Sequence, residues 1–302
     1  MAPFFFGSFH GILIMGRCKL NSPMGSNSSV DRIEDKQNAL SKLGKRTLER
    51  DDTQTMYPHR IYRDKEGSIY HSITHILSQT APKEQKEALE KWLERPTSYQ
   101  DRDIACERGT LMHNHAEYLL KTASKLARNS ANRRNVWKTG QDGLERCPKA
   151  LTKWALEKAA ESAPEIAWSA SGYTRSLRSW ILERVTAIHA IEFSIHRDNF
   201  AGTADALVDI DGDGPFIVDW KSSLRERSEE LLHSYCCQAG AYHLGLKSLT
   251  NIECKGAYIV VARRTGKPQE RKLSYLELKG AEQSFLERNN IYQANLELTN
   301  FN

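Results

Sequence analysis

The chain predicts an α/β fold, a central mixed sheet flanked by helices, and three observations carry this. Helical periodicity dominates from Lys83 to about Ala190. The period then changes to two over "IEFSIHR", "TADALVDID" and "PFIVDWKS", and later over "KGAYIVVARR" and "RKLSYLEL". A helical stretch, "SEELLHSYCCQAGAYHLGL", separates the first three strands from the last two, and another helix closes the chain from about Leu278 to Leu298. Such an order, without internal repeats, layers helices on a sheet.

With 302 residues the chain can bury a substantial core in one decorated domain. Hydrophobic residues make up 39%, charged residues 27%, and the formal net charge is +5, which favours solubility and mild attraction to polyanions. No apolar run reaches the roughly 18 residues of a membrane span. The six cysteines show no CxxC spacing, and Cys236 and Cys237 are adjacent on a helical pattern. Reduced thiols in an intracellular compartment fit this best, whereas a disulfide framework or an iron–sulfur cluster does not.

The opening "MAPFFFGSFHGILIM" is apolar, but its first basic residues, Arg17 and Lys19, follow the apolar run instead of preceding it. It lacks the positive n-region expected of a secretory signal. A misplaced start codon, with Met15 or Met24 beginning the chain, explains it, and a transit peptide stays open. Residues 21–56 have the composition of a mobile arm. Residues 57–302 are expected to form a single domain, with a hairpin and helix over 57–100 and the core over 101–302.

The elements follow in order. "HRIYRDKEGSIYHSIT" alternates polar and apolar residues around a glycine-containing turn, as a hairpin does. "KEQKEALEKWLER" carries Ala88, Leu89, Trp92 and Leu93 on one stripe between Pro82 and Pro96, the pattern of an amphipathic scaffold helix. A second helix spans about Glu107 to Ala127, with His113 and Glu117 on one face. Residues 149–190 read as helical with breaks near Pro164 and Gly172, and Trp154, Trp168 and Trp180 are assigned to the core.

Between Asp205 and Asp219 the Asp-Gly-Asp-Gly run from Asp211 to Gly214 is a strong turn signal. A three-residue loop from Asp211 to Asp213 would pair Ile210 with Gly214 and so set Asp205 opposite Asp219, about 5 Å apart on one face. Lys221 falls two residues beyond, on the same face. Two hard oxygen donors beside an ammonium suit Mg²⁺ and an attacking water. On spacing alone, a solvated face with a weak surface ion pair is the more ordinary explanation of these residues. Asp219 tips the balance, since it interrupts the apolar run "FIVDW", where an unpaired buried charge is costly.

The ordered motifs resemble those of the PD-(D/E)xK nucleases, in particular the RecB-like exonuclease branch that includes phage exonucleases and the mitochondrial genome maintenance exonuclease. "RGTLMHNHAEYLL" resembles the family's Gly-x-x-x-His helix, through Gly109, His113 and Glu117. "IEFSIH" and "AGTAD" match its Glu and Gly-Thr-x-Asp motifs through Glu192, Gly202, Thr203 and Asp205, and "IVDWKSS" its Asp-x-Lys strand through Asp219 and Lys221. "YCCQAGAYHLGL" is similar to the helix contributing Gln and Tyr, here Gln238 and Tyr242. The likeness runs from about Tyr57 to the C-terminus.

This resemblance implies a restriction-endonuclease-like core with a helical insertion and an N-terminal hairpin–helix extension. It implies Mg²⁺ or Mn²⁺ held by His113, Asp205 and Asp219, with Glu192 as a helper and Lys221 beside the nucleophile. Gln238 and Tyr242 would contact the DNA backbone or hold Lys221, and Glu117, Gly109 and Thr203 would support the site. The implied activity is exonucleolytic hydrolysis of DNA, at single-stranded ends, in replication, recombination or repair. A structure-specific endonuclease of the same fold and a non-catalytic DNA-binding accessory protein are the alternatives. No P-loop motif is present, so unwinding would come from a helicase or replication partner. The expected compartment is the cytoplasm of a bacterial or phage-infected cell, or an organelle if the N-terminus is a transit peptide. His115, His189, His196, His233 and His243 match no motif, while Arg175, Arg178, Arg184, Arg263, Arg264 and Lys267 could line a DNA groove.

Overall fold

The structure, a computed structural model, describes residues 60–300, the segment 48–51, and Lys36, Ala39, Leu40 and Leu43. The expectations for residues 1–35, and for Tyr57 as the start of the folded part, lie outside the described residues. Along the chain the elements are β1 (Glu49–Asp51), β2 (Ile61–Arg63), β3 (Ile69–Ser72), α1 (Ile73–Gln79), α2 (Lys83–Leu93) and α3 (Ser98–Arg134). Then come β4 (Lys138–Thr139), β5 (Glu145–Arg146), α4 (Lys149–Glu161), α5 (Trp168–Arg184), β6 (Val185–Arg197), β7 (Phe200–Ile210) and β8 (Asp213–Ser223). Finally come α6 (Glu229–Thr250), β9 (Gly256–Arg263), β10 (Gln269–Ser274) and α7 (Tyr275–Asn300).

All strands but β4 and β5 join one eight-stranded mixed sheet. Helices cover both faces, as expected from the interleaved periodicities. On one face Ile73, Ile76, Leu232, Cys237, Leu278 and Phe285 pack on Phe193, Leu207, Ile217 and Ile259. On the other, Met112, Leu119, Leu156, Tyr173 and Trp180 pack on Val208, Val218, Trp220 and Val260. Strand β8 shows why: Ile217 belongs to the first layer, Phe216, Val218 and Trp220 to the second. Within the expected arm, Glu49–Asp51 pairs antiparallel with β2, and Leu40 and Leu43 are buried in the first layer.

Several expectations are corrected. The helix assigned to residues 149–190 ends at Arg184, because β-branched Val185 and Ile188 pair with β7. The helix expected over 107–127 is longer, 37 residues or about 55 Å, and ends on left-handed Asn135. No residue of α2 is buried, so its apolar stripe is not a packing face. Of the three tryptophans only Trp180 is in the core, against Trp220, whereas Trp168 is 81% exposed and Trp154 41%.

The turn after β7 is also tighter than expected. Ile210 pairs with Asp213, not Gly214, across a two-residue turn of Asp211 and Gly212, both with positive φ. A bulge between Val208 and Ile210 then shifts the register by one, so that Ala206 faces Val218. Two one-residue departures cancel, and Asp205 and Asp219 remain at corresponding positions. The bulged Asp209 is held by His189 at 2.8 Å and by Arg146 at 2.5 Å.

Helices α6 and α7 approach closely at Gly240, where an added Cβ would meet the backbone of Ala281 and Glu282 at 2.5 Å. His243, one turn on, donates to Glu282 from Nδ1 at 2.5 Å and accepts from the Cys254 amide at 3.0 Å. Alanine at position 240 must push α7 away. Gly240→Ala should therefore lower stability by roughly 1–3 kcal/mol in urea unfolding, despite alanine's intrinsic helical advantage of about 1 kcal/mol. An unchanged midpoint would show that the two helices separate freely.

Candidate active site

Strand β7 is paired along one edge by β6 over its whole length. Its other edge is shared: β3 pairs with Phe200 and Ala201, and β8 with residues from Ala206 onward. Residues 202–205 therefore lie in a fork, where β8 leaves β7 and continues beside β9, with Asp219 paired to Ile259 and Lys221 to Val261. Asp205 and Asp219 sit at the base of this fork, 7% and 1% exposed. The Trp220 amide, freed from the ladder, donates to Asp205 Oδ2 at 2.6 Å.

Helix α3 brings a third group. Met112 and Ala116 anchor one side of it in the core, and His113, half-buried, turns to the fork with Nδ1 3.3 Å from Asp205 Oδ1. Glu192 comes from β6 with φ +46°, a left-handed conformation costing on the order of 1–3 kcal/mol for a non-glycine residue. The kink shifts the strand's alternation: Ala190, Phe193 and Ile195 all face the first core layer, while Ile188 and Ile191 face the second. Potential ligand atoms of His113, Glu192 and Asp205 lie within 4.8 Å of one another.

Asp219 is engaged differently. Its carboxylate is in ion-pair contact with Lys221, yet Oδ2 is buried without a hydrogen bond of acceptable geometry. The imidazole of His113 with the carboxylates of Glu192 and Asp205 is a donor set suited to a divalent cation, and the Asp219 carboxylate is buried on the neighbouring strand.

The electrostatics reflect this crowding. Burial pushes the Glu192 carboxyl up to about 8, with the Asp205 charge adding to it. Burial likewise raises Asp219, to about 6, and Asp205 adds while Lys221 opposes. For Asp205 burial acts upward but is outweighed by His113, Lys221 and the Trp220 amide, so its carboxyl is held below the ordinary range. Burial would lower His113, but the Asp205 charge and hydrogen bond lift it to about 9. Lys221 is also raised, the two aspartates overcoming desolvation.

Around the fork a cavity of about 480 Å³ collects the remaining sequence-derived residues: Gly109, Glu117, Thr203, Gln238 and Tyr242 all line it. Gln238 Nε2 donates to Tyr242 Oη at 2.5 Å, and Glu117 is ion-paired with Lys121. Gly202 is sterically required, since a Cβ there would meet Ile73 and Tyr242 side chains at 2.8 and 2.9 Å. Gly109 is not, its nearest such contact being Ser222 Oγ at 3.9 Å. Arg50, Arg60 and Tyr62 also line the cavity and were not identified from sequence. Their signal was the alternation "HRIYR", which sets Arg60 and Tyr62 on one face, but nothing local says which face meets the fork. A second cavity of about 620 Å³ shares Arg50, Tyr62, Glu192 and Thr203 with the first and continues past Arg63 and Lys65.

The titrations have a defined sign without metal. A carboxyl raised from 4.5 to about 8 costs nothing below pH 4.5, and its full cost applies above pH 8. An imidazole raised from 6.5 to about 9 stabilises fully below pH 6.5 and loses this as pH rises through 9. Both act in one direction, so the metal-free protein should lose stability between about pH 4.5 and 9, most steeply between about 6.5 and 8 where the two ranges overlap. Glu192→Gln removes the first effect and should raise the melting temperature at pH 8.5 by roughly 2–8 °C, for ~1–2 kcal/mol, with little change at about pH 4. Equal gains at both pH values would assign the effect to packing.

A family model described as PD-(D/E)XK nuclease superfamily matches residues 87–294. No curated protein matches the chain.

Proposed function

The chain belongs to the PD-(D/E)XK nuclease superfamily, whose members are metal-dependent hydrolases of phosphodiester bonds, and we propose that it is an exonuclease acting on single-stranded DNA ends in replication, recombination or repair. The observation that carries this reading is the cluster of His113, Glu192 and Asp205 at the mouth of a strand fork, with Asp219 and Lys221 beside it. The motif order from Gly109 to Tyr242 supports placement in the RecB-like branch.

In this reading Asp205, Asp219 and His113 would hold Mg²⁺ or Mn²⁺, with Glu192 as a further donor; imidazole among carboxylates suits Mn²⁺ in particular. When bound there, such an ion would supply Lewis acidity to the scissile phosphate and to an attacking water. Lys221 lies beside Asp219, 5.1 Å from the Tyr235 ring centroid. In this reading it positions or deprotonates the nucleophile and offsets charge developing on the phosphate. Tyr242 accepts from Gln238, which leaves its own O–H to donate to a backbone phosphate.

The walls of the cavity support end recognition. Helix α3 closes one side and residues of the β1–β3 extension the other, and the enclosed volume is that of a small-ligand cleft, not of a duplex groove. A flexible strand threaded from its end fits this better than a continuous double helix. No helix among the described residues is long and apolar enough to cross a membrane.

On end-labelled linear single-stranded DNA with Mg²⁺ or Mn²⁺, Lys221→Ala and Asp219→Ala should each reduce the rate by about 10²-fold or more, as removal of a preorganised charge does. Chelation should abolish the wild-type rate. Equal activity in all three proteins would remove these residues from the chemistry. A circular single strand should resist digestion, and cleavage as fast as that of the linear form would make the protein an endonuclease.

A further inference from the structure

Of the six basic residues that the sequence offered for a DNA groove, three are ion-paired with carboxylates. Arg184 binds Asp211 and Glu270, Arg263 binds Glu226, and Lys267 lies 4.0 Å from Glu183. Of the other three, none of which has a carboxylate partner among the described residues, Arg264 lies over Trp168 at the start of α5, and Arg175 and Arg178 share one place.

That place is a cavity of about 600 Å³ between α3 and α5, lined by Arg175, Arg178, His115, Ser171, Thr174 and Ser179. Exposed Glu165 is at its edge. His115 is 7% exposed, and its Nε2 is buried with no hydrogen-bond partner. It is two residues from His113 on α3, about 200° around the helix, so the cavity is on the far side of α3 from Asp205. Trp168, Ser171, Arg175, Arg178 and Leu182 follow one another at three- and four-residue steps along a single face of α5. Trp168, 81% exposed, begins this face, with the Arg264 guanidinium 5.2 Å from its ring centroid. The arrangement is built in: the Arg264 carbonyl oxygen lies 2.2 Å from where a Cβ on Gly172 would be, so α5 seats directly on the β9–β10 turn.

Unpaired guanidinium groups, hydroxyls and an unsatisfied imidazole suit a phosphate, and an exposed tryptophan beside them suits a base. We propose that this face is a second nucleic-acid-binding track, outside the catalytic cavity, where Arg175 and Arg178 hold a backbone phosphate of a single strand and Trp168 stacks one of its bases. The choice of a polynucleotide rests on the nuclease reading. The track gives the strand a hold that does not depend on the metal site.

Fluorescence anisotropy of a labelled oligothymidylate in EDTA, across a salt series, tests this without hydrolysis. Arg175→Ala/Arg178→Ala should raise Kd about tenfold or more and flatten the slope of log K against log salt by about 0.7, for one phosphate contact on a single strand. Trp168→Ala should weaken binding by roughly five- to a hundredfold, and Trp168→Phe by much less. Because these side chains are exposed or half-buried, melting curves should match wild type; Trp168→Ala stands as the independent variant if the double substitution does not. Inorganic phosphate at matched ionic strength should compete only weakly; if it saturates the site and displaces no DNA, the pocket serves a free phosphate and the track is wrong. Unchanged affinity and salt slope in all variants, or wild-type protein that binds no single strand, likewise overturns the proposal. Wild-type protein that binds DNA through these residues but never degrades it with metal refutes the nuclease reading alone.

Discussion

Two carboxylates buried side by side are the constraint around which the rest is arranged. Asp205 and Asp219 lie on neighbouring strands in the interior, where desolvation and mutual repulsion oppose ionisation of both. The described residues answer with one ammonium, one imidazole and one backbone amide: Lys221 on Asp219, His113 and the Trp220 amide on Asp205. This is incomplete. It leaves Asp219 Oδ2 without a hydrogen bond and Glu192 holding its proton. Three acidic groups held this close, one of them only as the protonated acid, suit a divalent cation.

The sheet makes that arrangement possible by coming apart. If β8 stayed paired to β7 beyond Val218, the Trp220 amide would belong to the ladder and residues 202–205 would have no open edge. Because β8 instead follows β9, the backbone of the fork remains satisfied on one side while its carboxylates face a cavity. Glu192 reaches the same space through a left-handed kink in β6. Strain at a carboxylate that also carries a raised pKa is the combination expected where structure serves chemistry.

How much was legible follows from where the information sits. The alternation in "TADALVDID" and "PFIVDWKS" is local, so the strands, and the facing positions of Asp205 and Asp219, could be read directly. The turn between them was misread as three residues, and the bulge at Asp209, stabilised by His189 and Arg146 from distant elements, restored the pairing by a route no local pattern encodes. His113 was reached only through resemblance of the whole motif set, since a lone histidine on an amphipathic helix signals nothing. Arg50 and Arg60 were missed because the β1–β2 pairing that brings them to the cavity wall is a tertiary fact. The stripe on α2 and the exposed Trp168 mislead for the converse reason: composition shows that a side chain is apolar, not that something covers it.

By itself, then, the sequence determined the layering of helices on a mixed sheet and the identity of the central acidic and basic residues, because period, turn residues and motif order are properties of neighbours along the chain. The tertiary structure alone decided where β8 leaves β7, which carboxylate pairs with Lys221 and which with His113, and the left-handed kink through which Glu192 reaches them. Those outcomes depend on distances between residues far apart in the chain, and on burial, which sets the strength of every charge in the fork.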